Sequence, residues 1–331
     1  MEPSLAGCWA VLARWSDRLD PRGLLAPVAG DPSKLTADQL RVTGAPRALV
    51  QAWRDRVPLE EPPWTWIGHE DYPGALLDLP RPPPALWLRG SASALRGEAV
   101  AIVGSRACTP YGRRTARALA RTVTTAGGVV ISGGARGIDT EAHLGAVESG
   151  QTVSVLGAGL QVPVGGAGRR LRDCVVANGG ALLSEMPPTD PPTRWTFPRR
   201  NRIIAALGRA TVVVEAGLRS GAGITARLAG DLGRDVYAVP GPLGAPASAG
   251  CLRLIAEGAG LIESVSRVGE LVRGDQPHPA WRLLEALDRP RAVGEVASRL
   301  GAPVSETLRS LALLELGGAV SRGADGRYRR R

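Results

Sequence analysis

Residues 195–204 read WTFPRRNRII. Arg199, Arg200 and Arg202 stand within four positions, beside Asn201 and Phe197, the chain's only phenylalanine. A guanidinium is a planar fork of donors that fits phosphate bidentately. The rings of Phe197 and Trp195 offer faces on which bases can stack. Phosphate contact joined to stacking, worth about 1–3 kcal/mol per base, is the chemistry of single-stranded nucleic-acid binding. An arginine-rich turn neutralised by acidic neighbours fits the same letters.

Three glycine-rich stretches carry further cations. They are GSRACTPYG with Ser105 and Arg106, SGGARGID with Gly133, Gly134, Arg136 and Gly137, and EAGLRSGAGIT with Arg219. Glycine lets backbone N–H groups approach an anion, and a following helix N-terminus adds unpaired donors and a favourable dipole. Glu185 and Glu215 close two apolar runs. A carboxylate there suits a catalytic base or a counter-charge, and the surrounding arginines favour the counter-charge.

Other chemistries find no support. Lys34, in GDPSKLT, is the only lysine, so no Walker A loop exists. The first βα turn lacks GxGxxG and no acidic residue closes the second apolar run, which argues against NAD or FAD. Cys8, Cys108, Cys174 and Cys251 are scattered, without a CxxC pair, and the three histidines are far apart. No metal, no cofactor and a reduced, cytoplasmic setting are expected. No signal peptide or membrane span is expected either.

These residues need a scaffold. From Glu98 onward, apolar runs at 99–103, 129–131, 152–156, 181–183, 211–214 and 235–239 alternate with amphipathic helical stretches. That pattern predicts an α/β fold, a doubly wound, mostly parallel sheet covered on both faces, over residues 98–272. Ligands of such sheets bind beyond the carboxyl ends of the strands, where the loops of Arg106, Arg136 and Arg219 converge. The segment 187–198 enters extended through its prolines, and a helix is expected to start near Arg199.

Residues 1–57 predict a small helical domain, with Trp9, Leu12, Trp15, Leu40, Leu49, Val50 and Trp53 at core spacing. Residues 58–97 predict a proline-rich linker and an extended segment. After a second linker at 273–279, residues 280–331 predict a winged-helix domain. It comprises three short helices and a hairpin, with Ser305 capping the third helix and Leu308, Leu311 and Leu314 facing its core. The net charge is +10, of which 98–272 carry +6 and 273–331 carry +4. A basic middle domain implies a polyanionic partner.

The strings VGSRACTPYG, ISGGARGIDTEAH, VLGAGL, LLSEMPP, FPRRNRIIAAL, VVVEAGLRSGAGITARLA, GRDVYAVPGPL and LIAEGAG stand in order across residues 64–265. In this the chain resembles the DNA-processing protein A (DprA, or Smf) family. The resemblance implies an extended Rossmann-like domain that binds single-stranded DNA in a basic pocket. It implies a non-enzymatic homodimer, joined through that domain, that protects incoming DNA in natural transformation or repair and loads the RecA recombinase. The N-terminal helices resemble the family's sterile-alpha-motif-like domain, and the tail resembles its winged helix. Matched position by position, the resemblance assigns DNA contacts to Arg106, Arg136, Phe197, Arg200 and Asn201, with Arg199 and Arg202 extending the patch. Residues 161–170, Gly221–Gly223 and Cys251–Arg253 depart from the family pattern. The alternative is a nucleoside-monophosphate-processing enzyme on a lysine-decarboxylase-like scaffold, whose PGGxGTxxE motif is replaced here by RSGAGITA. A third reading makes the tail a duplex-DNA reader and the middle domain a scaffold.

Overall fold

The apolar runs form strands because Val, Ile and Ala side chains on both faces of each run have a helical layer to bury against. The computed structural model describes residues 5–15, 20–25, 32–42, 45–55, 63–273, 283, 286–287, 289–300, 303–316, 319–323 and 325–330. They divide into two compact units, Met1–Val272 and Arg273–Arg331.

In the first unit the strands are β1 (Thr65–Trp66), β2 (Ala85–Gly90), β3 (Ala99–Val103), β4 (Val129–Ser132), β5 (Thr152–Leu156), β6 (Ala181–Ser184), β7 (Ala210–Val213), β8 (Asp235–Ala238) and β9 (Gly260–Leu261). They pair in the order β1-β2-β6-β5-β4-β3-β7-β8-β9. β6 through β9 are parallel in that order, and β2 and β1 extend the β6 edge antiparallel. Each expected strand lies within one residue of its observed ends.

The helices of this unit are α1 (Leu5–Arg14), α2 (Pro21–Leu25), α3 (Ala37–Val42), α4 (Arg47–Arg54), α5 (Pro110–Thr125), α6 (Ile138–Ala146), α7 (Gly166–Ala177), α8 (Thr196–Leu207), α9 (Gly221–Asp231), α10 (Ala249–Ala256) and α11 (Arg267–Arg273). β3 shows how they sandwich the sheet. Val100 and Ile102 pack with Leu119 and Val123 of α5 and Ile138 of α6. Ala101 and Val103 pack with Ile203 and Ile204 of α8 and Ala222 of α9 on the opposite face.

Two local expectations need correction. α8 starts at Thr196, three residues before Arg199, with Pro198 inside its first turn. The first N–H groups of a helix have no intrahelical partner, so proline costs little there. Thr65 and Trp66 form strand rather than linker, pairing with Leu86 and Ala85. Trp66 also stacks on Trp9 at 5.9 Å. Residues 58–62 of that expected linker lie outside the described residues.

The N-terminal helices bury Trp9, Leu12, Leu40, Leu49 and Trp53 in one cluster with Ala85 and Trp87 of β2. Their core is therefore shared with the sheet edge, and DLPRPPPALWLRG supplies the strand that joins the two.

The second unit has helices Val293–Leu300 and Val304–Leu316 and a hairpin of Val320–Arg322 with Tyr328–Arg330. Leu283, Val296, Leu311, Val320 and Tyr328 form its core. Ser305 lies inside the second helix rather than ahead of it. The buried stripe there is Thr307, Ser310 and Leu311, with Leu314 partly buried, so Leu308 falls off it and is exposed. Arg273, expected to open the second linker, ends α11 instead, and the rest of that linker, 274–279, and most of the expected helix over 281–287 lie outside the described residues.

Candidate nucleic-acid interface

Strand order reverses around β3, whose neighbours are β4 and β7. Such a reversal opens a crevice at the carboxyl ends of the strands. A cavity of about 500 Å³ sits there, lined by Val103, Ser105, Arg106, Asp139, Phe197, Arg200, Asn201 and Gly221 among others.

Its walls are held by backbone hydrogen bonds. Ser105 donates its N–H to the Glu215 carbonyl (2.7 Å), and its own carbonyl accepts from Ile138 N–H (3.1 Å). The Ser105 hydroxyl accepts from Ala107 N–H at 3.1 Å and so folds onto its own loop. Gly137, at φ +94°, lies against the Ser105 carbonyl and the Arg106 backbone, where a side chain would collide. Ser220 caps α9 by accepting from Gly223 N–H at 3.2 Å. Arg106 is exposed, and its guanidinium carbon lies 5.5 Å from the Phe197 ring centroid. Asn201 reaches the Gly221 carbonyl at 3.4 Å.

The arginines of α8 behave differently. Arg200 is only 4% exposed. Its guanidinium donates to the carbonyls of Gly133 and Val155, tying the β4 and β5 ends together. Gly133 must lack a side chain because a Cβ would occupy the space of that guanidinium. Asp139 supplies the counter-charge, and its carboxylate also accepts from Ala135 N–H at 3.3 Å. Burial pushes the Asp139 carboxyl up, and Arg200 and the backbone donors oppose that shift. Burial also lowers the Arg200 guanidinium, against the pull of Asp139.

Beside them His143 is pushed down to about 3 by burial and by Arg200. Thr152 donates its hydroxyl to the Val130 carbonyl at 2.8 Å. That leaves its oxygen to accept from His143 Nδ1–H, also at 2.8 Å, which defines the neutral tautomer.

Arg199 and Arg202 flank the buried Glu185, with Arg199 Nε 3.0 Å from Oε1 and Arg202 on Oε2. Arg199 also donates to the Ala13 carbonyl at the C-terminus of α1, where a cation is favourable. Arg202 donates to the Arg81 carbonyl at 2.7 Å. Glu185 is thus a counter-charge, as the local cations suggested. Glu215 is not: its carboxylate accepts from the N–H (2.8 Å) and the hydroxyl of Thr109, the cap residue of α5. A helix N-terminus, rather than an arginine, neutralises it. Neither carboxylate lines the cavity.

A family model for DNA recombination-mediator protein A matches residues 64–273, well over half of the chain. The chain belongs to the DNA recombination-mediator protein A family. It is 39% identical to Protein Smf of Escherichia coli over 283 residues, which is 79% of this chain and 76% of that protein. It is 42% identical over 269 residues to a putative DNA processing protein DprA of Mycobacterium tuberculosis, covering 75% and 68% respectively. The X-ray structure of DprA from Streptococcus pneumoniae superposes with a TM-score of 0.69 at 32% identity, covering 80% of this chain and 95% of that one. DprA from Helicobacter pylori, whose structure describes a single-stranded DNA binding mode, gives 0.58 at 29% identity, covering 62% and 95%.

Within this member of the mediator family, the sequence-selected residues sort into three groups. Ser105, Arg106, Phe197, Arg200 and Asn201 meet on one cavity. Gly133, Gly134, Arg136 and Gly137 form the adjoining β4 loop, with Arg136 exposed. Arg219 faces a separate cleft of about 860 Å³ against α9, α10 and β8. Arg199 and Arg202 lie away from the cavity, engaged with Glu185. Sequence reasoning missed Asp139 as a buried charge near Arg200 and Ser220 as the α9 cap. A buried acid opening α6 and the Ser-Gly start of α9 were the available signals. Among the described residues no helix is long and apolar enough to cross a membrane.

Proposed function

We propose that this protein is a single-stranded DNA-binding recombination mediator that protects the strand and loads RecA recombinase on it, in transformation or repair. Its role is binding, not catalysis. The observation that carries the reading is the cavity at the strand-order reversal, with exposed Arg106 set over Phe197 at its lip. Arg106 and Arg136 contact phosphates, Phe197 stacks a base and Asn201 donates to a base edge or phosphate. Arg200 acts from beneath, holding the loops that present them.

A second copy of the chain docks through the Rossmann-like domain at the β9 end of the sheet. Leu261 of β9, Ile224 of α9 and Leu243 in the loop after β8 are exposed, at 45%, 41% and 90%, and β9 is an edge strand whose outer side has no partner strand among the described residues.

The test is fluorescence anisotropy of labelled oligo-dT without nucleotide, across a salt series and against duplex competitor. Single-strand preference with a steep salt dependence is expected. Equal affinity for duplex, or wild-type affinity in Arg106→Ala, would overturn the assignment. Deleting 273–331 leaves most single-strand binding intact if the cavity is the site.

A further inference from the structure

The N-terminal end of α8 forms a ridge between two pockets. Phe197, Arg200 and Asn201 line the cavity described above. On the other side Trp195, Thr196 and Arg199 line a second pocket of about 470 Å³, closed by Trp15, Met186 and Arg14. That size lies within the range of pockets for small organic groups, roughly 300–1,000 Å³. Trp195 is 67% exposed, the most exposed tryptophan among the described residues, whereas Trp9, Trp53 and Trp87 are buried. An indole costs free energy to leave in water, so this one stands out.

Its position is built. Thr193 N–H donates to the Thr196 hydroxyl (3.0 Å), which donates back to the Thr193 carbonyl (3.0 Å). Trp195 N–H reaches the Thr193 hydroxyl at 3.3 Å. Upstream, the Asp190 carboxylate accepts from both arms of Arg14 at 2.7 Å, and the Asp190 carbonyl accepts from Gly159 N–H at 2.9 Å. The segment is therefore fastened to α1 and to the loop after β5, and the backbone that carries the ring is set before any ligand arrives. The nearby carboxylates Asp190 and Glu185 are already neutralised by Arg14, Arg199 and Arg202. Arg194, exposed, lies 4.6 Å over the Trp195 ring and makes no ion pair among the described residues.

We propose that this pocket is a second stacking subsite, taking a further base of the same single strand that occupies the Arg106–Phe197 cavity. The inference rests on the DNA-binding reading above. The strand crosses the α8 ridge, its base stacks on Trp195 and inserts toward Trp15, and Arg194 meets the adjoining phosphate. Stacking on a π-face is tolerant of sequence, so the subsite adds affinity and footprint rather than base preference.

The experiment compares oligo-dT of roughly 5 and roughly 15 nucleotides, within the span of known single-strand site sizes, on wild type, Trp195→Ala, Trp195→Phe and Arg106→Ala. Trp195→Ala is expected to weaken the longer probe roughly 5- to 100-fold and leave the shorter one unchanged. Trp195→Phe keeps most of the affinity, and Arg106→Ala weakens both probes. An unchanged long-probe affinity in Trp195→Ala, with Arg106→Ala impaired, overturns the subsite and leaves the DNA-binding reading standing. Equal loss on both probes also overturns it, because Trp195 would then serve the first cavity. Wild-type affinity in both alanine variants overturns the DNA-binding reading itself. Photocrosslinking of wild-type protein to 5-iodouracil oligonucleotides gives a readout independent of any variant. Adducts on Trp195 or Trp15 are expected, and adducts confined to Phe197 overturn the proposal.

Discussion

Arg106 and Arg200 line the same cavity and have the same side chain, yet one stands in solvent and the other is buried under the loops. The difference lies in the elements that carry them. Arg106 follows β3 on a loop whose backbone is pinned on both sides, so its side chain has only outward space. Arg200 sits at the start of the second turn of α8, one helical turn ahead of Ile203 and Ile204, on the face that packs against the sheet. A guanidinium there must find acceptors inside, and it finds two carbonyls, with the negative charge of Asp139 nearby. Arginine density along a chain therefore marks charge without saying whether that charge serves a ligand or the fold.

Stability measurements give the sharpest test of that contrast. Arg200→Ala leaves the Gly133 and Val155 carbonyls without their buried donor and takes a favourable charge away from Asp139, a loss of about 1–3 kcal/mol. Urea unfolding should show it, with Arg106→Ala within about 0.5 kcal/mol of wild type. An Arg200→Ala protein as stable as wild type would break the contrast.

Binding should sort the pair in the opposite way. Arg106→Ala weakens oligo-dT binding roughly 10- to 100-fold, as expected for a charge-assisted contact of about 1.5–3 kcal/mol, and lowers the magnitude of the salt slope by about 0.7. The readout is anisotropy across the salt series at unchanged melting temperature.

His143 extends the comparison to pH. Its folded value is depressed to about 3, so the unfolded chain takes up a proton below its ordinary value near 6.5 while the folded chain does not. Its stabilising contribution is complete above about pH 6.5 and declines as pH falls toward 3, by up to about 1.4 kcal/mol per unit. Asp139, raised by burial, adds an opposing slope over its own range. The wild-type minus His143→Leu difference in unfolding free energy isolates the histidine, and a flat difference would refute the neutral assignment.

The smallest effect belongs to Arg14. Its pair with Asp190 is partly exposed, 45% on the arginine side, and is worth about 0.2–1 kcal/mol. Arg14→Ala should lower the unfolding free energy by no more than that.

Much of this was legible beforehand. Runs such as AVAIV and TVSVL read as buried parallel strands because a strand covered on both faces needs apolar side chains at successive positions. The Gly-Ser-Arg loops read as anion sites because glycine and arginine each have a specific physical use there. The start of α8 was misplaced by three residues, since Pro198 suits the first turn as well as the position before it. Glu215 was given an arginine partner, because its true partner, the N-terminus of α5, lies 106 residues away in the chain.

The sequence by itself determined the doubly wound sheet, the edge where its glycine- and arginine-rich loops converge, and the family. Those follow from local periodicity and residue chemistry, which neighbouring positions carry. Only the tertiary structure decided which arginines are free. It turned Arg199 and Arg202 onto Glu185 and Arg200 onto the Gly133 and Val155 carbonyls, left Arg106 and Arg194 over aromatic rings, and set a second pocket across the α8 ridge. Burial and counter-charge are relations between distant segments, and they come into being only when the chain closes on itself.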